Sequence, residues 1–363
     1  MEQPYILLTP GPLMTSKTVK ETMLRDWCTW DDDYNVKIVQ NIRTRLVDLA
    51  TRQKNDYTSI LMQGSGTFSV EGALISAIPS NGKLLILSNG AYGNRMHEIA
   101  VYANIQHETL RWNETEMVAP QEVDDYLGSN ADITHVSFVH CETTTGLLNP
   151  LEELCSVVKK YNKCLIVDAI SSFGGIPYDI GELNIDFLIG SSNKCLQGTP
   201  GFGFIIARKE TILQCKGNAH SLSLDIFDQW NTMEKQSGKW RFTSPTHIVR
   251  AFMQAMDELD EEGGISNRYC RYQENHRVLM EGMQAIGFVP LLNASLQSPI
   301  ISSFLYPTPA FSFSSFYNEL KNKGFVIYPG KISEKETFRI GTIGDVHPDD
   351  FKNLIAAIAT IDY

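Results

Sequence analysis

Four short stretches place side chains capable of chemistry where simple packing does not ask for them. In DFLIGSSNKCLQGTPGFGF, Lys194 follows an apolar run and lies between small polar residues and a Gly/Pro-rich turn. A lysine at the carboxyl end of a strand, desolvated there, has a lowered pKa and becomes a nucleophile; the competing reading is a solvated loop lysine. In CLIVDAISS, four apolar residues lead to Asp168. A carboxylate emerging from a buried strand requires a cation or hydrogen-bond donors. A protonated pyridine nitrogen would serve, as would an ordinary ion pair or a cap of the next segment. Gly64-Ser65-Gly66-Thr67 stands between an apolar run and a helix-like run. Small residues and free N–H groups at a helix start suit a phosphate, while Ser and Thr also serve simply as N-caps. In TFRIGTIG, Arg339 offers a planar fork for a carboxylate or phosphonate, or an edge-strand partner for a surface acid.

Each stretch alone leaves both readings open; the set narrows them. An anion-cradling turn, an acid and an amine on consecutive strands match the three functional ends of pyridoxal 5'-phosphate (PLP): its phosphate, its ring nitrogen and its aldehyde. The acid would keep the ring protonated, so that it draws electrons from the substrate carbon. Nicotinamide and ATP sites do not need this set, and Gly64–Thr67 is neither GxGxxG nor a P-loop. His140, His220, His247 and His276 lack metal-ligand spacing, and Asp31-Asp32-Asp33 reads as a solvated or site-lining turn. No metal is expected.

The elements that must position these residues alternate along the chain. From Tyr57 onward TSILMQ, KLLILS, HVSFV, CLIVD, DFLIG and GFGFIIA are short apolar runs, most of them followed by helical patterns. Such alternation predicts an α/β fold with a mostly parallel sheet flanked by helices, its ligand at the strands' carboxyl ends. After about Ser244 the pattern changes to two long helices, one over HIVRAFMQAMDELDEE and one from about Ser266 to Ile286, then to mixed strand and helix segments. This predicts a smaller C-terminal α+β domain. The expected division is an N-terminal segment (1–15) packing near the active site and small domain, a large cofactor-binding domain (16–246) and a small domain (247–363).

Bulk properties exclude several classes. A formal charge of −11 over 363 residues does not suit nucleic acid, which needs clustered Lys and Arg. Seven cysteines without CxxC spacing suit reduced thiols. MEQPYILLTPGP has no basic and long apolar leader pattern, and no run approaches the roughly 20 apolar residues of a membrane span. The expectation is a soluble cytoplasmic protein.

The motifs LLTPGP (7–12), CTWDDDY (28–34), LMQGSGT (61–67), SNGAYGNR (88–95), HCETTTGLLNP (140–150), VDAISSFGG (167–175), SSNKCLQGTPGFGF (191–204), RFTSPTH (241–247) and FRIGTIG (338–344) follow one another in a familiar order. With them the chain resembles the class V aminotransferases among the fold-type I PLP-dependent transferases. The resemblance implies Lys194 as the Schiff-base lysine, Asp168 as the pyridinium partner and Ser65, Gly66 and Thr67 as phosphate ligands. It further implies Tyr92 stacked on the ring, Thr143 beside the phenolic oxygen, Asn193 as a polar contact, Thr243 as a phosphate ligand lent by a neighbouring subunit, and Arg339 as the substrate-anion arginine. A homodimer with shared sites follows. The implied activity is ping-pong transfer of an amino group from an aminophosphonate to pyruvate, with an alanine- or serine–glyoxylate type as alternative. A PLP desulfurase would need a cysteine on a mobile Gly/Ser-rich loop, which Cys215 and Cys270 do not offer. A non-enzymatic α/β binding protein is the remaining contrast.

Overall fold

The computed structural model describes residues 5–330, 332 and 335–362; the few others of the expected terminal divisions lie outside the described residues. Seven strands form the main sheet: β1 (Tyr57–Gln63), β2 (Leu84–Ser88), β3 (His107–Arg111), β4 (His135–Val139), β5 (Cys164–Asp168), β6 (Phe187–Ser191) and β7 (Phe202–Arg208). Their order is β1-β7-β6-β5-β4-β2-β3. Strands β2 to β6 are parallel, and β7 runs antiparallel to both its neighbours.

The apolar runs are continuous because both faces of the sheet are covered. Leu85, Leu87, Leu165 and Val167 enter one core with Leu154 and Val158 of a helix over Leu151–Lys160. Leu84, Ile86 and Ile166 enter the other, against Val70 and Leu74 of α1 (Gly66–Ala77) and Met96 and Ile99 of α2 (Ala91–Tyr102). Each fully buried side chain of this kind contributes roughly 1.5–3 kcal/mol. Strand β3 (HETLR) has no apolar run to announce it; its residues are half-buried or exposed because it is a polar edge.

A third core fills the C-terminal region. Phe304, Phe338 and Ile340 come from a three-stranded sheet, β8 (Ile301–Leu305), β9 (Tyr328–Pro329) and β10 (Thr337–Gly341), ordered β8-β10-β9. Leu279 and Met283 of a helix over Gly264–Ala285 and Phe351 and Leu354 of another over Pro348–Ile358 pack on it. The helix over Thr246–Glu262 sends Val249, Phe252 and Met256 into the first core instead. It ends at Gly263 in the left-handed region (φ 98°), and the next helix starts one residue later, so the glycine pair makes a sharp break rather than a loop.

The N-terminal strand Ile6–Leu7 pairs in parallel with Phe325–Val326, and Leu8 joins the third core. From there the chain crosses to the carboxyl edge of the main sheet. Among the described residues no helix is long and apolar enough to cross a membrane, and no group of His, Cys, Asp and Glu could hold a metal ion.

Candidate active site

Strands β5 and β6 are adjacent and parallel, and they end at Asp168 and Ser191. Beyond β6 the chain folds into a tight loop. Ser192 Oγ donates to the carbonyls of Thr199 (2.7 Å) and Phe202 (2.9 Å), and Gln197 N donates to Lys194 O (2.8 Å). This loop turns Lys194 back over the sheet edge, where its Nζ donates to the Pro10 carbonyl at 2.6 Å. The N-terminal segment passes so close that a Cβ on Gly11 (φ 119°) would lie 2.7 Å from both Cδ and Nζ of Lys194, so only glycine fits there. Burial pulls the Lys194 pKa down to about 8, with nearby Cys195 and Asp168 pulling the other way. At neutral pH an appreciable fraction of this amine is therefore unprotonated, as a nucleophile or base requires.

Asp168 is buried, with Oδ1 accepting from Ile170 N at 2.9 Å. The cap-like role open in sequence is thus real, but it occupies one oxygen only. Burial raises the carboxyl pKa to about 6, against the pull of that N–H and of the charges on Arg95 and Lys194. On the neighbouring side, Ser65 stands at the N-terminus of α1 in extended conformation, yet its side chain makes no capping hydrogen bond. Gly66 packs so tightly that a Cβ would meet Ile170 at 2.6 Å. Thr67 Oγ1 accepts from Arg95 Nη1 at 3.1 Å. Ser191 Oγ donates to Asn193 Oδ1 at 2.7 Å, which orients that amide. Ser65, Gly66, Thr67, Tyr92, Asp168, Asn193 and Lys194 line one cavity of roughly 200 Å³.

Two more of the expected residues, Thr143 and Arg339, do not line this cavity but meet each other. Arg339, buried on β10, donates from Nη1 to the Thr143 carbonyl and from Nε to the Pro329 carbonyl, both at 2.9 Å. It has no carboxylate partner among the described residues, so the surface ion pair open in sequence is not formed. Lys194 feels its charge, and burial lowers the Arg339 pKa against the opposing pull of Tyr92 and Tyr328. Thr143 is fully buried and its Oγ1 has no hydrogen-bond partner. Thr243 does not join the cavity. It is exposed, in a separate surface hollow with Thr29, Asn35 and Trp240.

These donors fit PLP on the structure's own terms: a buried hydroxyl on Thr143 and the uncapping Ser65 hydroxyl both lack the partners that burial and helix starts normally supply. Residues 33–332 match the family model described as aminotransferase class-V. The chain belongs to the class V aminotransferases. Within that family it is 64% identical over 361 residues to the 2-aminoethylphosphonate–pyruvate transaminase of Bacteroides fragilis (strain YCH46), covering 99% of this chain and 100% of the relative. It is 57% identical to the enzyme of the same name from Bacillus cereus (strain 03BB102), over 99% and 98% of the two chains. Among solved structures, ureidoglycine–glyoxylate aminotransferase from Bacillus subtilis superposes with a TM-score of 0.88 at 21% identity, over 99% of this chain and 93% of that one. Pyridoxamine–pyruvate aminotransferase from Mesorhizobium loti gives 0.87 at 24%, over 98% and 91%. These two likenesses bear on the fold, and they make this aminotransferase a fold-type I protein.

Three groups at the aminotransferase site escaped the sequence. Arg95 lines the cavity, and its position three residues after Tyr92 on α2 is the one signal that it shares that residue's face. Glu142 is fully buried beside Thr143; its Oε1 accepts from the N–H groups of Tyr92 and Gly93 at 3.0 Å, holding the start of α2. Burial pushes its pKa up to about 7 despite those donors. The Pro10 carbonyl is backbone, which no residue pattern reveals.

Proposed function

We propose that this aminotransferase transfers the amino group of 2-aminoethylphosphonate to pyruvate, giving phosphonoacetaldehyde and alanine, with PLP as cofactor. The observation that carries the reading is the meeting, in one cavity at the ends of adjacent parallel strands, of an amine with a pKa near 8, a buried carboxylate and an anion-cradling turn. The high identity of relatives bearing that activity's name supports the choice of substrate.

Each residue has a defined task. Ser65, Gly66 and Thr67 would bind the phosphate, with Asn193 beside them. Asp168 would hold the charge of the protonated ring nitrogen, Tyr92 would stack on the ring, and the Thr143 hydroxyl would meet the phenolic oxygen. When bound, PLP supplies a sink for the electron pair left at the substrate carbon. Lys194 Nζ, first the cofactor's anchor, would then be the base that takes the proton from the carbon bearing the amine and returns it to the cofactor's former aldehyde carbon within the same half-reaction. Arg339 would turn Nη2 to the substrate anion while Nε and Nη1 each donate to a backbone carbonyl, and it would clamp phosphonate and carboxylate in turn.

Thr243, exposed beside the half-exposed Phe242, would reach the phosphate of a neighbouring copy, making the working unit a homodimer. The reading places the enzyme in the cytoplasm. It divides the chain into a segment 1–15, a large domain 16–246 and a small domain 247–363, with the helix from Thr246 at their junction.

The test is a half-reaction. Adding 2-aminoethylphosphonate alone should remove the visible absorbance of the PLP-loaded enzyme, and pyruvate should restore it with one alanine formed. Alanine with glyoxylate supporting faster exchange than 2-aminoethylphosphonate with pyruvate would favour the alanine–glyoxylate alternative. A protein that never acquires cofactor absorbance would be a binding protein.

A further inference from the structure

The charge balance of the cavity leaves one cation without a task. A phosphate monoester carries about −1.5 to −2 at neutral pH, and Ser65, Gly66 and Thr67 offer it only neutral donors. Asp168 lies in the same cavity, and Glu142 is close enough for the two acids to feel each other. The chain itself is formally −11. Against these, the lysine and arginine lining the cavity are Lys194 and Arg95. Lys194 is committed to the cofactor's aldehyde, and Arg339 stands at the other end, tied to the carbonyls of Thr143 and Pro329.

Arg95 is held ready rather than neutralised. Its Nη1 donates to Thr67 Oγ1 at 3.1 Å, within the phosphate turn itself. Its guanidinium carbon lies 5.0 Å from the centre of the Tyr92 ring, so the plane is supported along its face. Among the described residues no carboxylate is paired with it; its one charged neighbour of note is Asp168, which feels it at longer range. The spacing of Tyr92 and Arg95 on α2 puts both on one face, and Glu142 fixes the start of that helix. A planar fork restrained on two sides, with free donors beside two hydroxyls, is the arrangement that suits a phosphate.

We propose that Arg95 is the cationic ligand of the phosphate subsite, binding the phosphate monoester of the cofactor together with Ser65 and Thr67. This rests on the assignment of the cavity to PLP and adds its charged partner. It also gives α2 a double task, since one helix would set both the stacked ring and the phosphate.

The experiment compares two ligands that differ only in the phosphate. The full-length protein, freed of cofactor, is titrated with pyridoxal phosphate and with pyridoxal, for wild type, Arg95→Gln and Arg95→Lys. Inorganic phosphate is added as a competitor, and thermal unfolding checks each variant's fold. Arg95→Gln should weaken pyridoxal phosphate about 10- to 100-fold, leave pyridoxal within about twofold, and abolish competition by inorganic phosphate. Arg95→Lys should fall between, keeping the charge but not the fork. Should Arg95→Gln not fold, the ratio of the two affinities in Arg95→Lys decides: a lowered ratio supports the proposal and an unchanged one overturns it. Equal weakening of both ligands overturns it, because Arg95 would then act only by supporting Tyr92; so does unchanged binding of pyridoxal phosphate. Wild type binding neither ligand would instead remove the PLP reading, and this proposal with it.

Discussion

The two ends of the site are built differently. The end proposed for the cofactor is made at the carboxyl edge of one sheet, from loops after β1, β5 and β6 and the first turn of α2, all resting on shared cores. The end proposed for the substrate depends on Arg339, which stands on a strand of the smaller sheet and reaches across to a carbonyl after β4. Strand pairing fixes the backbone at both ends, but the first end lies within one sheet and its loops. The second end joins two regions, and the Arg339 hydrogen bond to the Thr143 carbonyl crosses between them. A fixed cofactor end suits a group that stays bound, whereas an anion site spanning two cores can accommodate a phosphonate and a carboxylate in succession.

The sharpest way to break this contrast is at its centre. Lys194→Ala should lower turnover by about 10⁴-fold, since it removes the base, and should change the visible spectrum of the bound cofactor; retained turnover would dissolve the whole arrangement. Arg339→Ala should cost roughly 10²- to 10³-fold in kcat/KM for 2-aminoethylphosphonate. Its cofactor affinity should stay near wild type if the two ends are as independent as their construction implies. A parallel loss of cofactor would show the ends to be one unit.

Protonation separates the ends more finely. A free Lys194 amine with a pKa near 8 is protonated below that value and unreactive, so the rate of cofactor capture should rise with pH through about 8 and then level. Asp168, raised to about 6 by burial, becomes neutral as pH falls below that value. It then loses its hold on a ring cation, and cofactor affinity should drop there, as an equilibrium titration across pH 5–9 would register. Asp168→Asn should remove that acid limb. The smallest effect expected is that of Thr143→Val, about three- to tenfold in cofactor affinity, because one neutral hydrogen bond is lost and the orphaned hydroxyl disappears with it.

Much of this was legible in the chain. Buried strands announce themselves as apolar runs, and the polar residue that ends each run stands where ligands bind, which is why Lys194, Asp168 and Gly64–Thr67 could be singled out. Strand β3 could not, because its half-buried and exposed side chains are mostly polar and form no apolar run, and neither could the reversal of β7, whose sequence reads the same in either direction of pairing.

The sequence by itself determined the fold class and singled out Lys194, Asp168 and Gly64–Thr67 as candidates, because each depends on local hydrophobic pattern and residue type. Tertiary structure decided what closes around them. It brought the Pro10 carbonyl to Lys194, Arg95 to Thr67 and Glu142 to the start of α2; it turned Arg339 toward Thr143 and left Thr243 on the surface. Those contacts join residues far apart in the chain, or backbone atoms common to every residue, and only the packing of the three cores selects which of them meet.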